Sequence, residues 1–379
     1  MHMASRDQLE MLMSESVEAC RRRERNAFDE FIEGNSRIIL FGAGGLGRKV
    51  LAALREDGIE PLAFVDNKLA GRTIDALNVL TPAEAVAKWG RSAVFVVAIW
   101  AAWSDTMQEQ IQSIRELGCE KVVSFIPVLW KYSRLLPHVQ VDLPSRVLAQ
   151  KDQVLEAFDL WSDEDSRDEF VAQLRWRLLG DFEGLNKPRP NQYWQADVVR
   201  LKRDTVFADA GAFDGDTFAQ FVEFSGGKFR AAYLFEPDSR NLSSLEKRLG
   251  AMPEEIRNRV QVFASAVAEG EYDVSFQGGS GPSSAPGAGN EVVHCVSLDR
   301  SLRESPDLIK YDVEGFELLA LSGSRRIIKE NKPTLAVCAY HIQDHIWQIP
   351  RLIQSIHPGY RFYLRPHGQI WETICYAVP

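Results

Sequence analysis

Cysteine is scarce and scattered in this chain. Five occur in 379 residues (Cys20, Cys119, Cys295, Cys338 and Cys375), and no two form a C-x-x-C pair. That removes a zinc clip, a redox dithiol and a disulfide-stapled module, and predicts buried reduced thiols. Long apolar runs are missing as well. The longest, Ala93 to Trp103, falls short of the roughly 20 residues that a membrane-crossing helix needs, and no signal-peptide anatomy opens the chain. The expectation is a cytoplasmic protein with no membrane span. Positive charge is in the minority, with 44 Lys plus Arg against 53 Asp plus Glu and a net charge of −9. Such a surface repels phosphate backbones and argues against nucleic acid as a partner. No repeat of fixed period appears, so a solenoid is excluded.

What is present is an ordinary globular composition, 45% hydrophobic and 26% charged, long enough for two or three domains. Residues 6–35 read as an N-terminal helical arm, with Leu9, Leu12, Met13, Val17 and Cys20 at helical spacing and Arg21-Arg22-Arg23 on a solvated face. Residues 36–127 alternate strands (Ile38 to Phe41, Leu62 to Val65, Ala93 to Ala98, Lys121 to Phe125) with helices, as a Rossmann-like α/β domain does. Residues 128–202 lack that alternation and read as a helical connector. A second α/β series over 203–379 has strand signals beginning at Thr205, Ala232, Val260, Cys295, Leu308, Thr334, Tyr360 and Glu372, of which about seven fit one sheet. Gln277 to Asn290, rich in Gly, Ser and Pro, predicts a mobile loop or lid.

Each α/β series opens with a strand, a glycine turn and a helix. In the first turn Gly42, Gly44 and Gly47 have the G-x-G-x-x-G spacing, and Asp66 ends the next strand where an acidic residue takes a ribose diol. A nucleotide or nucleotide sugar fits there, and so does a bare tight turn holding nothing. The second turn carries Asp209, Asp214 and Asp216, a field that repels pyrophosphate and suits the ammonium and sulfonium of S-adenosylmethionine. Gly211 and Gly215 read as clearing space for that cofactor beside Ala212 and Phe213, while Glu236, before Pro237, ends the following strand as a ribose ligand.

The segments Val206-Phe207-Ala208-Asp209-Ala210-Gly211, Phe235-Glu236-Pro237-Asp238, Ser297-Leu298-Asp299 and Ile309-Lys310-Tyr311-Asp312-Val313-Glu314-Gly315-Phe316-Glu317 together resemble the FkbM family of S-adenosylmethionine-dependent methyltransferases. The resemblance spans about 163–379. It implies a seven-stranded class I methyltransferase sheet with an antiparallel last strand, and O-methyl transfer as the usual activity. The first series resembles, more loosely, nucleotide-binding domains found beside sugar-modifying enzymes. On that analogy the acceptor is a hydroxyl of a sugar, nucleotide sugar or glycan, and a homo-oligomer stays open.

Methyl transfer to oxygen needs alignment and a proton acceptor. Asp312 ends the strand that faces the methyl in this fold, with Glu314 and Glu317 just beyond where an acceptor must lie, and Asp312 also borders the cofactor. Lys310 shares a strand face with Asp312 and is placed to pair with it. His341 closes the next strand and is the first candidate base, ahead of His345 and His367. No metal is expected, although Asp312, Glu314 and His341 are ligand types. Gln192, Tyr193 and Trp194 either wall the cleft or pack in the core, and Asp299 reads as a cap for the helix at Arg300. The alternatives are a nicotinamide-dependent sugar epimerase or dehydrogenase on the first turn and a non-catalytic binding protein. Against the former, no Tyr is followed four residues later by Lys.

Overall fold

The computed structural model describes residues 4–32, 37–100, 107–136, 140–182, 184–277, 285–286, 291–368, 370 and 372–379. They form two compact units, one of Met1–Lys151, Asp168–Lys187 and Gly368–Trp371, the other of Asp152–Arg167, Pro188–His367 and Glu372–Pro379. The residues expected as one connector are therefore shared between the units.

In the first unit, helices Ser5–Leu12, Val17–Asn26 and Asp29–Ile32 precede the sheet, with Leu9, Met13 and Cys20 buried. Strands β1 (Arg37–Phe41), β2 (Ala63–Val65), β3 (Thr73–Ile74), β4 (Leu77–Leu80), β5 (Ala93–Val97) and β6 (Lys121–Ser124) take the order β3-β4-β2-β1-β5-β6. All pairings are parallel except β3 with β4. The uninterrupted apolar runs of β1 and β5 suit strands covered on both faces. The β3–β4 hairpin was not legible. Its turn residues Asp75 and Ala76 both have positive φ (47° and 68°), and the glycine that usually announces such a turn at the second position is replaced by Ala76.

The second unit holds β7 (Val206–Ala210), β8 (Ala231–Phe235), β9 (Val260–Phe263), β10 (Ala266–Val267), β11 (Tyr272–Gln277), β12 (Ala285–Pro286), β13 (Glu291–Val296), β14 (Leu308–Tyr311), β15 (Thr334–Cys338), β16 (Arg361–Pro366) and β17 (Thr373–Val378). Seven of these form a sheet in the order β16-β17-β15-β14-β7-β8-β9, and β17 runs antiparallel to both neighbours. This is the α/β sheet expected for a class I methyltransferase. The strand at Cys295 does not join it. Instead β13 pairs with β10 and β11 in a separate four-stranded sheet, because only Val293 and Cys295 turn inward while its other side faces out. A central strand of the large sheet would need both faces covered. Of the expected 277–290 loop, Gln277 and Ala285–Pro286 pair in β11 and β12, and the remainder lies outside the described residues.

Arg365, 2% exposed on β16, binds Asp163 and Asp197, tying the 152–167 segment to this sheet. Asp299 caps a different helix from the one anticipated. It lies within Leu298–Ser301, and its carboxylate accepts from Arg326 N (2.8 Å) and Ile327 N (2.9 Å), opening Arg325–Glu330. Asp299→Ala is expected to cost about 1 kcal/mol in urea denaturation, as lost N-caps do. An unchanged midpoint would contradict that role. Among the described residues, no helix is long and apolar enough to cross a membrane, and all five cysteines are buried and unbridged.

Candidate active site

Strand β7 lies between its parallel neighbours β8 and β14, so the order of strands along the chain switches beside it, the position at which open α/β sheets take ligands. The register sets Asp209 of β7 opposite Lys310 of β14. Their side chains meet accordingly, Lys310 Nζ donating to Asp209 Oδ1 (2.9 Å) and to the Gly211 carbonyl (2.6 Å). Asp312 Oδ2 is farther from the ammonium, at 3.8 Å. The chief partner of Lys310 is thus Asp209 across the strand pair, not Asp312 along its own strand. Burial lifts the Asp209 carboxyl to about 6 although Lys310 opposes the shift, which leaves it ionised at neutral pH.

Two of the three acids of this turn are neutralised by the chain itself. Asp209 has Lys310, and Asp214 takes Arg248 (2.5 Å), which also donates to the Asp214 carbonyl. The cationic-cofactor field is weaker than three bare carboxylates would give. Neither glycine clears space for a ligand. A Cβ on Gly211 would meet the Asp312 carbonyl oxygen at 1.9 Å, and one on Gly215 would meet Leu245 Cδ1 at 2.6 Å, so both are required by internal packing at positive φ. Ala212 N donates to the Phe235 carbonyl, and Phe213, at φ 49°, donates its N–H to Glu236 Oε2 (2.9 Å). Asp216 begins the helix Asp216–Phe224, and its carboxylate accepts from Thr217 N.

Glu236 closes β8 with Pro237 after it, and its Oε1 accepts from Asp238 N (2.8 Å). Burial pushes Glu236 up to about 7 against these bonds. Asp209 Oδ2 is buried with no hydrogen-bond partner. A buried acceptor without a donor, beside a carboxylate raised by burial, is a site that asks for hydrogen-bond donors. An ammonium and a ribose diol would supply them, so these residues fit S-adenosylmethionine.

Beyond β14 and β15 a second group converges. Asp312 Oδ2 accepts from Tyr193 O–H (2.8 Å), and Tyr193 O–H also contacts Cys338 Sγ (3.3 Å). His341, 5% exposed, sets Nδ1 on Glu317 Oε1 (2.7 Å) and turns Nε2 toward Asp312 Oδ1 (3.4 Å) and Glu314 Oε1 (3.7 Å). Burial opposes a charge on this ring, but Glu317, Glu314 and Asp312 outweigh it and push the imidazole up to about 10. As the side chains stand, His341 carries a proton at neutral pH, unlike the free imidazole expected of a base. Glu314, at φ 49°, is pushed up to about 7 by burial, and so is Glu372, which feels the charges of Asp312 and His341.

His345 touches the group only through Glu317 Oε2 (3.0 Å). His367 lies elsewhere, on Tyr376 O–H (2.9 Å), with burial lowering it to about 4. Trp194 packs on Phe207, Phe221 and Phe224 as core, whereas Tyr193 belongs to the site. Glu317, expected beside the acceptor with Glu314, instead holds His341 Nδ1, and the places of Cys338 and Glu372 were not foreseen. Glu317 carried a signal, being the last acid of the K-x-D-x-E-G-x-E stretch, while Cys338 and Glu372 carried none.

The first turn is less acid-free than its sequence. Asp66 folds back to accept from Ala43 N (3.3 Å), Lys68 N (2.8 Å) and Leu69 N (3.1 Å), and Asp75 pairs with Arg48 (2.7 Å). Cβ atoms on Gly42 and Gly47 would meet Ala98 O (2.7 Å) and Gly42 O (1.8 Å), whereas Gly44 is open. Gly42, Gly47 and Asp66 are thus engaged in closing the turn.

Residues 209–370 match the family model of the Methyltransferase FkbM domain. The structure resembles that of the methyltransferase FkbM from Methylobacillus flagellatus KT, with a TM-score of 0.80 over 99% of both chains at 22% identity, a likeness of fold. Precorrin-6y C5,15-methyltransferase from Geobacter metallireducens GS-15 covers 47% of this chain and 80% of its own at 13% identity, with a TM-score of 0.29. A Streptococcus mutans protein in complex with SAH covers 48% and 91% at 11% identity, with a TM-score of 0.31. No curated protein matches the chain.

Proposed function

We propose that this chain, whose residues 209–370 match the family model of the methyltransferase FkbM domain, is an S-adenosylmethionine-dependent O-methyltransferase. Its acceptor, on this reading, is a hydroxyl of a sugar, nucleotide sugar or glycan. The observation that carries it is the convergence after neighbouring strands of two groups: Asp209, whose Oδ2 lacks a donor, with the burial-raised Glu236, and the Asp312–Glu314–His341 group. When bound, S-adenosylmethionine would supply a sulfonium-activated methyl, the electron pair of its carbon–sulfur bond staying on sulfur as the acceptor oxygen takes the methyl. The chain's part is to hold both reactants in line and to take the hydroxyl proton on the carboxylates ringing the site, Asp312, Glu314 and Glu372. A polyol suits this ring because it offers several O–H donors to acceptors. The first unit adds no comparable argument for a nucleotide. Labelled-methyl incorporation into a panel of sugars, nucleotide sugars and glycans tests the reading; no incorporation into any hydroxyl acceptor would overturn it.

Glu236 makes cofactor binding sensitive to pH. An ionised carboxylate accepts both ribose hydroxyls, and protonation removes that capacity, so lowering the pH through about 7 weakens binding. Calorimetry with the product S-adenosylhomocysteine should show affinity falling about tenfold per pH unit below that point. Glu236→Gln should bind weakly with a flat profile. A flat profile in the unsubstituted protein would refute the assignment.

A further inference from the structure

We infer that Asp312, Glu314 and His341 hold a divalent cation beside the cofactor turn. One donor atom from each of these residues lies within 4.8 Å of the other two. Metal–ligand bonds of roughly 2.1 Å at near-octahedral or tetrahedral angles separate adjacent ligands by about 3.0–3.4 Å. The observed separations of 3.4 Å and 3.7 Å from His341 Nε2 need only a small inward adjustment.

The orientation of His341 is an independent observation. Metal-binding imidazoles commonly rest their second nitrogen on a carboxylate, which fixes the ring and raises its basicity. Here Glu317, 0% exposed, takes Nδ1 at 2.7 Å and is itself held by Val313 N (3.1 Å), Gly315 N (3.4 Å) and the His345 contact (3.0 Å). That leaves Nε2, on a residue 5% exposed, aimed between the Asp312 and Glu314 carboxylates at 3.4 Å and 3.7 Å. Lys310 is already bound to Asp209, so Asp312, Glu314, Glu317 and Glu372 outnumber the cations facing them. One imidazole with two carboxylates suits Mn²⁺, Co²⁺ or Zn²⁺ better than the all-oxygen shells preferred by Ca²⁺. Three protein ligands leave positions for acceptor oxygens, with Glu372 free to take a proton. This last role rests on the methyltransferase reading; the cation site does not.

The test uses the full chain stripped with chelator and titrated with Mn²⁺ by calorimetry, alongside S-adenosylhomocysteine. One Mn²⁺ per chain is expected, weakened at least tenfold in Asp312→Asn and in the more exposed Glu314→Gln, with circular dichroism and cofactor affinity retained in Glu314→Gln as the check on folding. Absence of binding of Mn²⁺, Co²⁺ and Zn²⁺ alike, or Mn²⁺ affinity unchanged in both variants, overturns the site. Cofactor binding without cation binding overturns this inference alone. Cation binding without cofactor binding supports the site and overturns the methyltransferase reading.

Discussion

Lys310→Met is expected to lower the unfolding free energy by about 3–5 kcal/mol, because it leaves Asp209 as a buried carboxylate with no cation. The pair is 2% and 0% exposed, so solvent does little to screen the loss. Asp209 escapes by binding a proton, which makes the defect depend on pH. Its carboxyl is already raised from 3.8 to about 6 with Lys310 present; without Lys310 it rises further, while the unfolded chain keeps the ordinary value. Between those two values the folded variant binds a proton that the unfolded chain does not, so stability falls as pH rises. The slope is about 1.4 kcal/mol per pH unit, and the falling window reaches higher pH in the variant than in the unsubstituted protein. Urea denaturation across the neutral range reads this directly. Lys310→Met with Asp209→Asn should recover most of the loss and flatten the slope. A single variant as stable as the original at alkaline pH would refute the account.

Gly211→Ala is expected to cost roughly 2–6 kcal/mol and, on the proposed reading, to abolish methyl transfer. A left-handed non-glycine residue and an overpacked contact each cost about 1–3 kcal/mol. At Gly211 both apply, since φ is 87° and the new Cβ would lie 1.9 Å from the Asp312 carbonyl oxygen. That oxygen is backbone and cannot rotate aside. Relief requires β7 and β14 to part at their carboxyl ends, which moves Asp312 away from Glu314 and His341. Gly226 is the control, with φ 58° and nothing within 4 Å of its Cβ position. Gly226→Ala should cost only about 1 kcal/mol and keep activity. Equal effects of the two substitutions, by denaturation and labelled-methyl assay, would show that the close approach to Asp312 is not what Gly211 serves.

The sequence by itself determined the α/β class, the alternation in each half, the seven-stranded sheet and the motif residues at its edge. Unbroken apolar runs and strand–glycine–helix turns are local patterns, and local sterics and burial dictate them. The same logic explains the misses. The Asp75–Ala76 turn lacks the glycine that usually announces its conformation, and Cys295 sits in a strand whose partners, β10 and β11, are set by long-range pairing. What only the tertiary structure decided is which charges face each other. Lys310 chose Asp209 through the β7–β14 register, Arg248 reached Asp214 from another helix, and Asp66 turned back on its own loop. Charge pairing acts across a few ångströms of space rather than along the chain. A run of acids in the sequence therefore gave no measure of the field that survives in the fold, and the aim of His341 Nε2 at Asp312 and Glu314 depends on Glu317 holding its other nitrogen.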